Sequence, residues 1–301
     1  MKHLTLLGVL TLCLTQAPSA QVAEPFMTFE QRVALFDYDS SADFELQVTG
    51  VDDRDDVIVR SITFRGAAGG SPISAYLVEP QGDGPFAGVL WGHWLGHHTS
   101  NKDQYLEEAI SMAPRGVVSL LIDTVWADPA WYPSRDPDDD DAVAIRQVVD
   151  FRRAMDLLLA QPTVDAARVG FVGHDYSGMY GSIAAGIDPR AKTHVFIAVT
   201  SSLIDWAFFG EHPASKMDYI RKMAVFELTD YAAEIRGSVF CQFSNSDPFI
   251  SRADGNLFYN AITAERKDRK RYDAEHFMGG EEIRADRQAW LAKELGLEPT
   301  D

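Results

Sequence analysis

The most informative segment of the chain runs from Arg168 to Gly181 and reads RVGFVGHDYSGMYG. Its apolar first part is followed by the small residues Gly173, Ser177 and Gly178 and then by helix-forming sequence. This order predicts a strand, a sharp turn and a helix, in which the small neighbours leave room for a strained turn. Such a turn, a nucleophile elbow, lifts one side chain above the sheet, and here that residue is Asp175.

Short apolar runs along the rest of the chain predict the other strands of a sheet. Continuous apolar runs are typical of strands that are buried on both faces. They cover residues 86–91, 117–122, 169–172, 195–199 and 239–243. Residues 57–64 and 74–78 precede them and flank a glycine-rich segment, which predicts an antiparallel hairpin. The fold class is therefore α/β, with a doubly wound, mostly parallel sheet that has an antiparallel N-terminal edge.

The clearest helix between these strands is predicted over residues 141–160. An aspartate lies at its start and a Gln-Pro pair follows its end, as is typical of helix boundaries. Its inward stripe is predicted to contain Ala142, Ile145, Val149, Arg152, Met155 and Leu159. The basic run 266–271 is interpreted as a solvated face ahead of the last strand.

The composition is that of a globular protein, and its charge argues against nucleic acid as a partner. The 301 residues are 46% apolar and 24% charged and include two cysteines, which excludes a disordered chain or a disulfide scaffold. Acidic residues number 45 against 27 basic ones, and the net charge of -18 repels phosphate backbones.

The N-terminus has the three regions of a secretory signal peptide. A basic start is followed by the apolar run Leu4 to Leu14 and then by small residues. We predict a signal peptide over residues 1–20, cleaved between 19 and 23, with an uncleaved anchor as the alternative. Residues 24–301 are then expected to form one domain of a secreted or periplasmic protein, with no stable membrane insertion after cleavage.

Two further motifs follow the elbow in chain order. Residues 241–248 read CQFSNSDP and end a strand with Asp247, and residues 272–277 read YDAEHF and contain His276. With these motifs the chain resembles the α/β-hydrolase superfamily, and over residues 57–297 it is most similar to the dienelactone-hydrolase-like branch, which lacks a large cap domain. The elbow itself resembles that of epoxide hydrolases and haloalkane dehalogenases, whose aspartate stands in a Gly-His-Asp-aromatic-Gly string. Ser177 replaces the last glycine of that string.

The resemblance implies a role for each of these residues. Asp175 would be the nucleophile, and His276, oriented by Asp247, would activate water. The backbone N–H groups of Trp94 and Tyr176 would form an oxyanion hole. The residues alone leave other interpretations open, since Asp175 can simply cap the following helix and Asp247 can be a turn residue before a proline.

An aspartate at the elbow favours attack on a saturated carbon. A carboxylate that attacked an ester carbonyl would form a high-energy anhydride, whereas attack on an epoxide or a carbon–halogen bond leaves an alkyl ester that water can hydrolyse. We therefore expect a hydrolase that acts on a small apolar molecule. The substrate pocket is predicted to be lined by His93, Trp126, Trp131, Tyr132 and Trp206.

No metal ion and no cofactor is expected. His93, His97 and His98, or the acidic run 136–141, are alternatives as metal ligands, but none of them has the spacing of a known metal loop. Two other functions stay open. One is an ester or lactone hydrolase, with Asp175 as a general base on water or Ser177 as the nucleophile, and the other is a non-catalytic binding protein with a degenerate elbow.

Overall fold

The computed structural model describes residues 27–66, 70–96, 100–206 and 213–297, without the side chains of residues 205 and 206. The predicted signal peptide, residues 1–20, lies outside the described residues, as do His97 and His98. Within these four ranges, no helix is both long enough and apolar enough to cross a bilayer.

One mixed sheet forms the centre of the molecule. Within the described ranges its strands are β1 Gln47–Asp53, β2 Val57–Phe64, β3 Ile73–Pro80, β4 Phe86–Gly92, β5 Val117–Ile122, β6 Val164–His174, β7 Thr193–Ile197, β8 Ser238–Ser244 and β9 Lys267–Tyr272. Their spatial order is β1-β2-β3-β5-β4-β6-β7-β8-β9. The first three pairings in this order are antiparallel, and those from β5 to β9 are parallel. The predicted mostly parallel sheet with an antiparallel N-terminal edge is confirmed.

The predicted hairpin is formed by β2 and β3. Val57 lies opposite Pro80, and Phe64 lies opposite Ile73. The sequence did not predict β1, whose residues are exposed apart from the half-buried Gly50 and therefore carry no buried apolar pattern. The basic run is also placed differently, because it forms the edge strand β9 itself rather than a face ahead of it. A charged edge strand is a common way to prevent further strand pairing.

Helices cover both faces of the sheet. Those described are α1 Phe29–Ala34, α2 Leu106–Met112, α3 Trp131–Ser134, α4 Asp140–Leu159, α5 Tyr176–Ile187, α6 Leu203–Trp206, α7 Lys216–Met223, α8 Leu228–Ala232, α9 Arg252–Ala261 and α10 Glu281–Leu295. Neighbouring residues of β6 show the two layers, since Phe171 contacts Phe151 of α4 while Gly170 faces Leu291 of α10. Successive side chains of a strand point to opposite faces, so α4 and α10 lie on opposite sides of the sheet.

Helix α4 agrees in length with the predicted helix 141–160 but buries a different stripe. Its fully buried apolar side chains are Ala144, Val148, Phe151, Ala154 and Leu158. Of the predicted stripe, Val149 and Met155 are buried, whereas Ala142 is exposed. The helix packs both on the sheet and on α5, so its buried surface is wider than one stripe and is rotated from the predicted one.

The connection from β7 to β8 contains only short helices where it is described. Residues 198–206 and 213–237 form α6, α7, α8 and one 3₁₀ turn, and no large cap domain is present in these ranges. The carboxyl ends of β4, β6, β8 and β9 therefore meet at one edge of the sheet without a large domain above them. The candidate site lies at this edge.

Candidate active site

Asp175 stands in a strained turn between β6 and α5. Its backbone has φ 54° and ψ -120°, a conformation that non-glycine residues rarely adopt. The strand and the helix approach each other closely, because a Cβ atom on Gly173 would lie 2.7 Å from the carbonyl oxygen of Ser177. A Cβ atom on Gly178 would lie 2.9 Å from the carbonyl oxygen of Gly173. These are the features of the predicted elbow, and they place a fully buried carboxylate at its tip.

The two oxygens of the Asp175 carboxylate have different surroundings. Oδ2 accepts a hydrogen bond of 3.1 Å from the backbone N–H of Leu95. Oδ1 lies 3.6 Å from Nε2 of His276, which is too long for a hydrogen bond, and it makes none within the described residues. One oxygen is therefore held in place, while the other faces the imidazole.

His276 is joined to a second carboxylate on its other side. Its Nδ1 lies 2.8 Å from Oδ2 of Asp247. Oδ1 of Asp247 accepts the backbone N–H groups of Phe249 and Ile250, at 2.9 Å each, so this carboxylate is fixed by its own turn. The structure thus brings together the three predicted residues Asp175, His276 and Asp247, which follow β6, β9 and β8.

The two carboxylates control the charge of His276. Burial lowers the pKa of the imidazole, but the negative charges of the adjacent Asp175 and Asp247, together with the hydrogen bond to Asp247, outweigh burial and raise this pKa to about 9. Burial raises the pKa of Asp247, yet His276 and the two backbone N–H groups lower it overall. At neutral pH the resting site therefore holds an imidazolium between two carboxylates.

The backbone N–H of Trp94, the predicted oxyanion donor, does not point at Asp175, whereas that of its neighbour Leu95 does. The backbone N–H of Trp94 donates to Oε1 of Gln104 at 2.8 Å and is thus engaged elsewhere, whereas the N–H of Leu95 points at Asp175. The prediction missed by one residue because the turn after β4 is irregular, and its direction is not encoded in a sequence pattern. Tyr176, the other predicted donor, is the first residue of α5, so its N–H stands at the helix start next to Asp175.

His93 holds the loop after β4 and does not line a substrate pocket. Its ring is buried, with Nδ1 2.9 Å from the carbonyl oxygen of Trp94 and Nε2 accepting the N–H of Thr124 at 3.1 Å. Burial lowers its pKa to about 4, so the ring is neutral. Its carbonyl oxygen accepts the hydroxyl of Ser177 at 2.5 Å. Ser177 is therefore buried and engaged, and it is not placed to attack a substrate.

The predicted aromatic residues divide into core and rim. Trp126 is fully buried and stacks on Tyr180 with a centroid distance of 5.7 Å, so it belongs to the core rather than to the pocket. Trp131 and Tyr132 are half-buried, and Trp131 meets the ring of Tyr176 edge-on. Trp131 and Tyr176 help line a small pocket. The side chain of Trp206, also predicted to line the pocket, lies outside what the structure describes.

Several residues near the site were not predicted. Phe249 and Phe277 are 47% and 46% exposed, and their rings lie 5.0 Å from His276 and 5.2 Å from Trp94. Their positions beside Asp247 and His276 in the sequence were a usable signal. Gln104 carries no such signal, because a glutamine on a short turn has no characteristic spacing.

Metal ligation finds no support in the part of the chain that is described. Within it, no group of three or more His, Cys, Asp or Glu side chains is arranged to hold an ion. In the acidic run, Asp140 lies 3.3 Å from Nε of Arg135 and accepts the hydroxyl of Tyr219, and Asp141 pairs with Lys222.

Solved structures share this architecture. An acetyl xylan esterase from a Paenibacillus species matches with a TM-score of 0.70 at 18% identity, covering 88% of this chain and 93% of that chain. The acetyl xylan esterase of a Thermoanaerobacterium species matches with a TM-score of 0.69 at 18% identity, covering 89% and 93%. The chain has the α/β-hydrolase fold. A putative dienelactone hydrolase from Klebsiella pneumoniae is also similar, with a TM-score of 0.53 at 16% identity over 75% of this chain and 94% of that chain.

The fold resemblance drawn from the elbow and the two later motifs is therefore confirmed. No protein-family model and no curated protein sequence matches the chain. At these identities the likeness concerns the fold, and the chemistry has to be argued from the site.

Proposed function

We propose that the protein is a hydrolase of small molecules in which Asp175 forms a covalent ester with the substrate. The observation that carries the proposal is the difference between the two oxygens of Asp175. Oδ2 accepts a hydrogen bond from the N–H of Leu95, whereas Oδ1 faces the ring of His276. A nucleophilic carboxylate needs one free oxygen to attack and a donor for the oxygen that becomes the ester carbonyl.

The first step uses the oxygen that is not held. Oδ1 of Asp175 attacks a saturated carbon of an epoxide or a carbon–halogen compound, and the carbon–oxygen or carbon–halogen bond breaks with its electron pair going to the leaving atom. A halide leaves as the anion. The alkoxide formed from an epoxide takes the proton of the His276 imidazolium.

The second step follows from the loss of a charge. Esterified Asp175 is neutral, so one of the two carboxylates that raise the pKa of His276 is removed, and the imidazole becomes a base near neutral pH. The imidazolium has given its proton to the alkoxide in the epoxide case and loses it to solvent in the halide case. The neutral imidazole then takes a proton from water as that water attacks Cγ of Asp175. The negative charge then develops on Oδ2, where the N–H of Leu95 donates. Collapse breaks the bond between Cγ and the ester oxygen Oδ1, and the departing alkoxide takes the proton held by His276. The proton left on the new carboxyl group passes to His276 or solvent, which restores the carboxylate.

An ester or lactone hydrolase is the second candidate, and the structural neighbours favour it. Those named above are two acetyl xylan esterases and a putative dienelactone hydrolase, whereas none of them is an epoxide hydrolase or a dehalogenase. In this version Asp175 acts as a general base on water. Its weakness is that the N–H of Leu95, the natural partner for an ester oxyanion, is already donated to Asp175.

We also propose that the substrate is a small apolar molecule and that the protein is secreted or periplasmic. The half-exposed rings of Phe249 and Phe277 beside the site support the first. The predicted signal peptide supports the second.

Turnover of four probe compounds tests both candidates. Styrene oxide, bromohexane, nitrophenyl acetate and dihydrocoumarin are offered to the wild type, to Asp175→Asn and to Asp175→Ala. Asp273→Asn is the matched control, because it makes the same change in an exposed residue of the His276 loop. We expect turnover to fall by about 10⁴-fold or more in both Asp175 variants and to stay unchanged in the control.

The class of compound that is turned over decides between the candidates. Epoxide or bromoalkane turnover that depends on Asp175 supports the covalent mechanism, and ester or lactone turnover that depends on it supports the second candidate. Ester turnover that survives Asp175→Ala contradicts both. A wild type inactive on all four compounds would favour the non-catalytic interpretation of the elbow.

A further inference from the structure

One hydrogen-bonded chain connects three of the four loops that carry the candidate site. The backbone N–H of Trp94 donates to Oε1 of Gln104 at 2.8 Å. Nε2 of Gln104 lies 2.9 Å from Nδ1 of His174, and Nε2 of His174 lies 3.0 Å from the carbonyl oxygen of His276. The chain thus runs from the loop after β4, through the end of β6, to the loop after β9.

The direction of every bond in this chain is determined by its ends. A backbone N–H can only donate, so the amide oxygen of Gln104 faces Trp94 and its NH₂ group faces His174. Nδ1 of His174 must then accept, which leaves the proton on Nε2 to be donated to the carbonyl oxygen of His276. All bonds point the same way, an arrangement in which each bond polarises the next.

This pattern requires an uncharged His174, and the surroundings of the ring disfavour its protonated form. The ring is fully buried, and burial together with the charge of His276 lowers its pKa well below the usual value. The ring of Trp94 stacks on it at 5.6 Å with an interplanar angle of 15°. His174 is therefore held by packing as well as by both of its nitrogens.

We propose that Gln104 and His174 are positioning residues that set the geometry of both partners of Asp175. Gln104 fixes the amide of Trp94, and the next N–H along the backbone, that of Leu95, donates to Oδ2. His174 fixes the backbone of His276, whose ring lies 3.6 Å from Oδ1. The expected effect on catalysis rests on the proposed function. The positioning of His276 itself can be tested without measuring turnover.

Two substitutions of Gln104 and one control test the proposal. Gln104→Leu removes both hydrogen bonds with little change in shape. Gln104→Glu keeps an acceptor for Trp94 but offers His174 a second acceptor in place of a donor. All three hydrogen bonds of the chain then survive only if His174 is protonated on both nitrogens, because a neutral ring with its proton on Nδ1 loses the bond to the carbonyl oxygen of His276. Gln161→Leu is the matched control, since Gln161 is also half-buried and hydrogen-bonded but lies at the far end of α4.

Two readouts are recorded for each variant: the pKa values of His174 and His276 by nitrogen NMR, and kcat and KM on any probe that the wild type turns over. In Gln104→Leu we expect the pKa of His276 to fall from about 9 towards 6.5. We also expect kcat to fall about 10- to 100-fold with KM within about twofold of wild type. In Gln104→Glu, His174 is expected to titrate, whereas Gln161→Leu leaves all these values unchanged.

Unchanged kcat and an unchanged His276 pKa in Gln104→Leu would overturn the proposal, and so would equal losses in Gln161→Leu. If the wild type turns over no probe, the proposed function fails, while the NMR comparison of the variants still decides whether Gln104 and His174 position His276.

Discussion

His276 is the residue on which the charge balance of the site depends. It is almost fully buried, with Asp247 on one ring nitrogen and Asp175 near the other. A buried imidazolium is costly to desolvate, and here two carboxylates offset that cost. The residue therefore links folding stability to pH.

We predict that replacing His276 by Gln lowers the free energy of unfolding by an amount that depends on pH. The folded-state pKa is raised from 6.5 to about 9, so the folded protein binds the proton more tightly than the unfolded chain does. The stabilisation is fully present below pH 6.5 and is lost as the pH rises through 9. We expect the difference in unfolding free energy between wild type and His276→Gln to shrink by on the order of 3 kcal/mol over this range.

Urea unfolding of the two proteins at a series of pH values measures this difference, and the titrating groups that do not interact with His276 cancel because they are common to both. A difference that stays constant between pH 6.5 and 9 would show that His276 is not held between two ionised carboxylates.

At the scale of the element, the elbow depends on two glycines that let β6 and α5 approach. A Cβ atom on Gly173 would meet backbone atoms, the carbonyl oxygen of Ser177 at 2.7 Å and Cα of Gly178 at 2.9 Å. Backbone cannot move aside as a flexible side chain can, so the turn itself would have to open. The strain at Asp175 is therefore supported by the residues on either side of it.

Gly173→Ala is expected to lower the unfolding free energy by about 1–3 kcal/mol, the usual cost of an overpacked buried position. Gly50→Ala is the control, because a Cβ atom there would lie 3.5 Å from the side chain of Ser61, an ordinary contact. Thermal and urea unfolding of both variants checks the prediction. Equal stability of the two variants would contradict the tight approach of β6 and α5.

The elements that the sequence predicted well are those with a strong apolar pattern. The hairpin, the buried parallel strands and α4 all lie where continuous or alternating apolar residues place them. Strand β1 was missed and strand β9 was misplaced because both lie at an edge of the sheet, where residues need no continuous apolar pattern. The buried stripe of α4 was misplaced because that helix contacts α5 as well as the sheet.

At the scale of the whole molecule, the sheet order brings residues far apart in sequence to one edge. Asp175, Asp247 and His276 were predictable as neighbours, since each follows a parallel strand and such strands share their carboxyl ends. Leu95 and Gln104 were not, because their roles depend on how one irregular loop turns. His93 and Trp126 were assigned to the pocket because aromatic residues in loops look alike in sequence whether they line a site or pack in the core.

The class of bond that the protein hydrolyses is harder to assign than its fold. The architecture is shared with esterases, whereas the covalent mechanism proposed for Asp175 requires a saturated carbon rather than an ester carbonyl. The covalent mechanism and the general-base mechanism differ in whether a bond forms to Asp175 during turnover. The place where the oxygen atom of water ends up distinguishes them.

The most direct measurement is a single turnover in ¹⁸O-labelled water, with enzyme in excess over the probe that it hydrolyses. The account predicts that one ¹⁸O atom enters Asp175, found by mass spectrometry in the tryptic peptide spanning residues 169–190, and that the product of this first turnover carries none. Label in the product with none in Asp175 would contradict the covalent ester and would leave Asp175 as a general base on water.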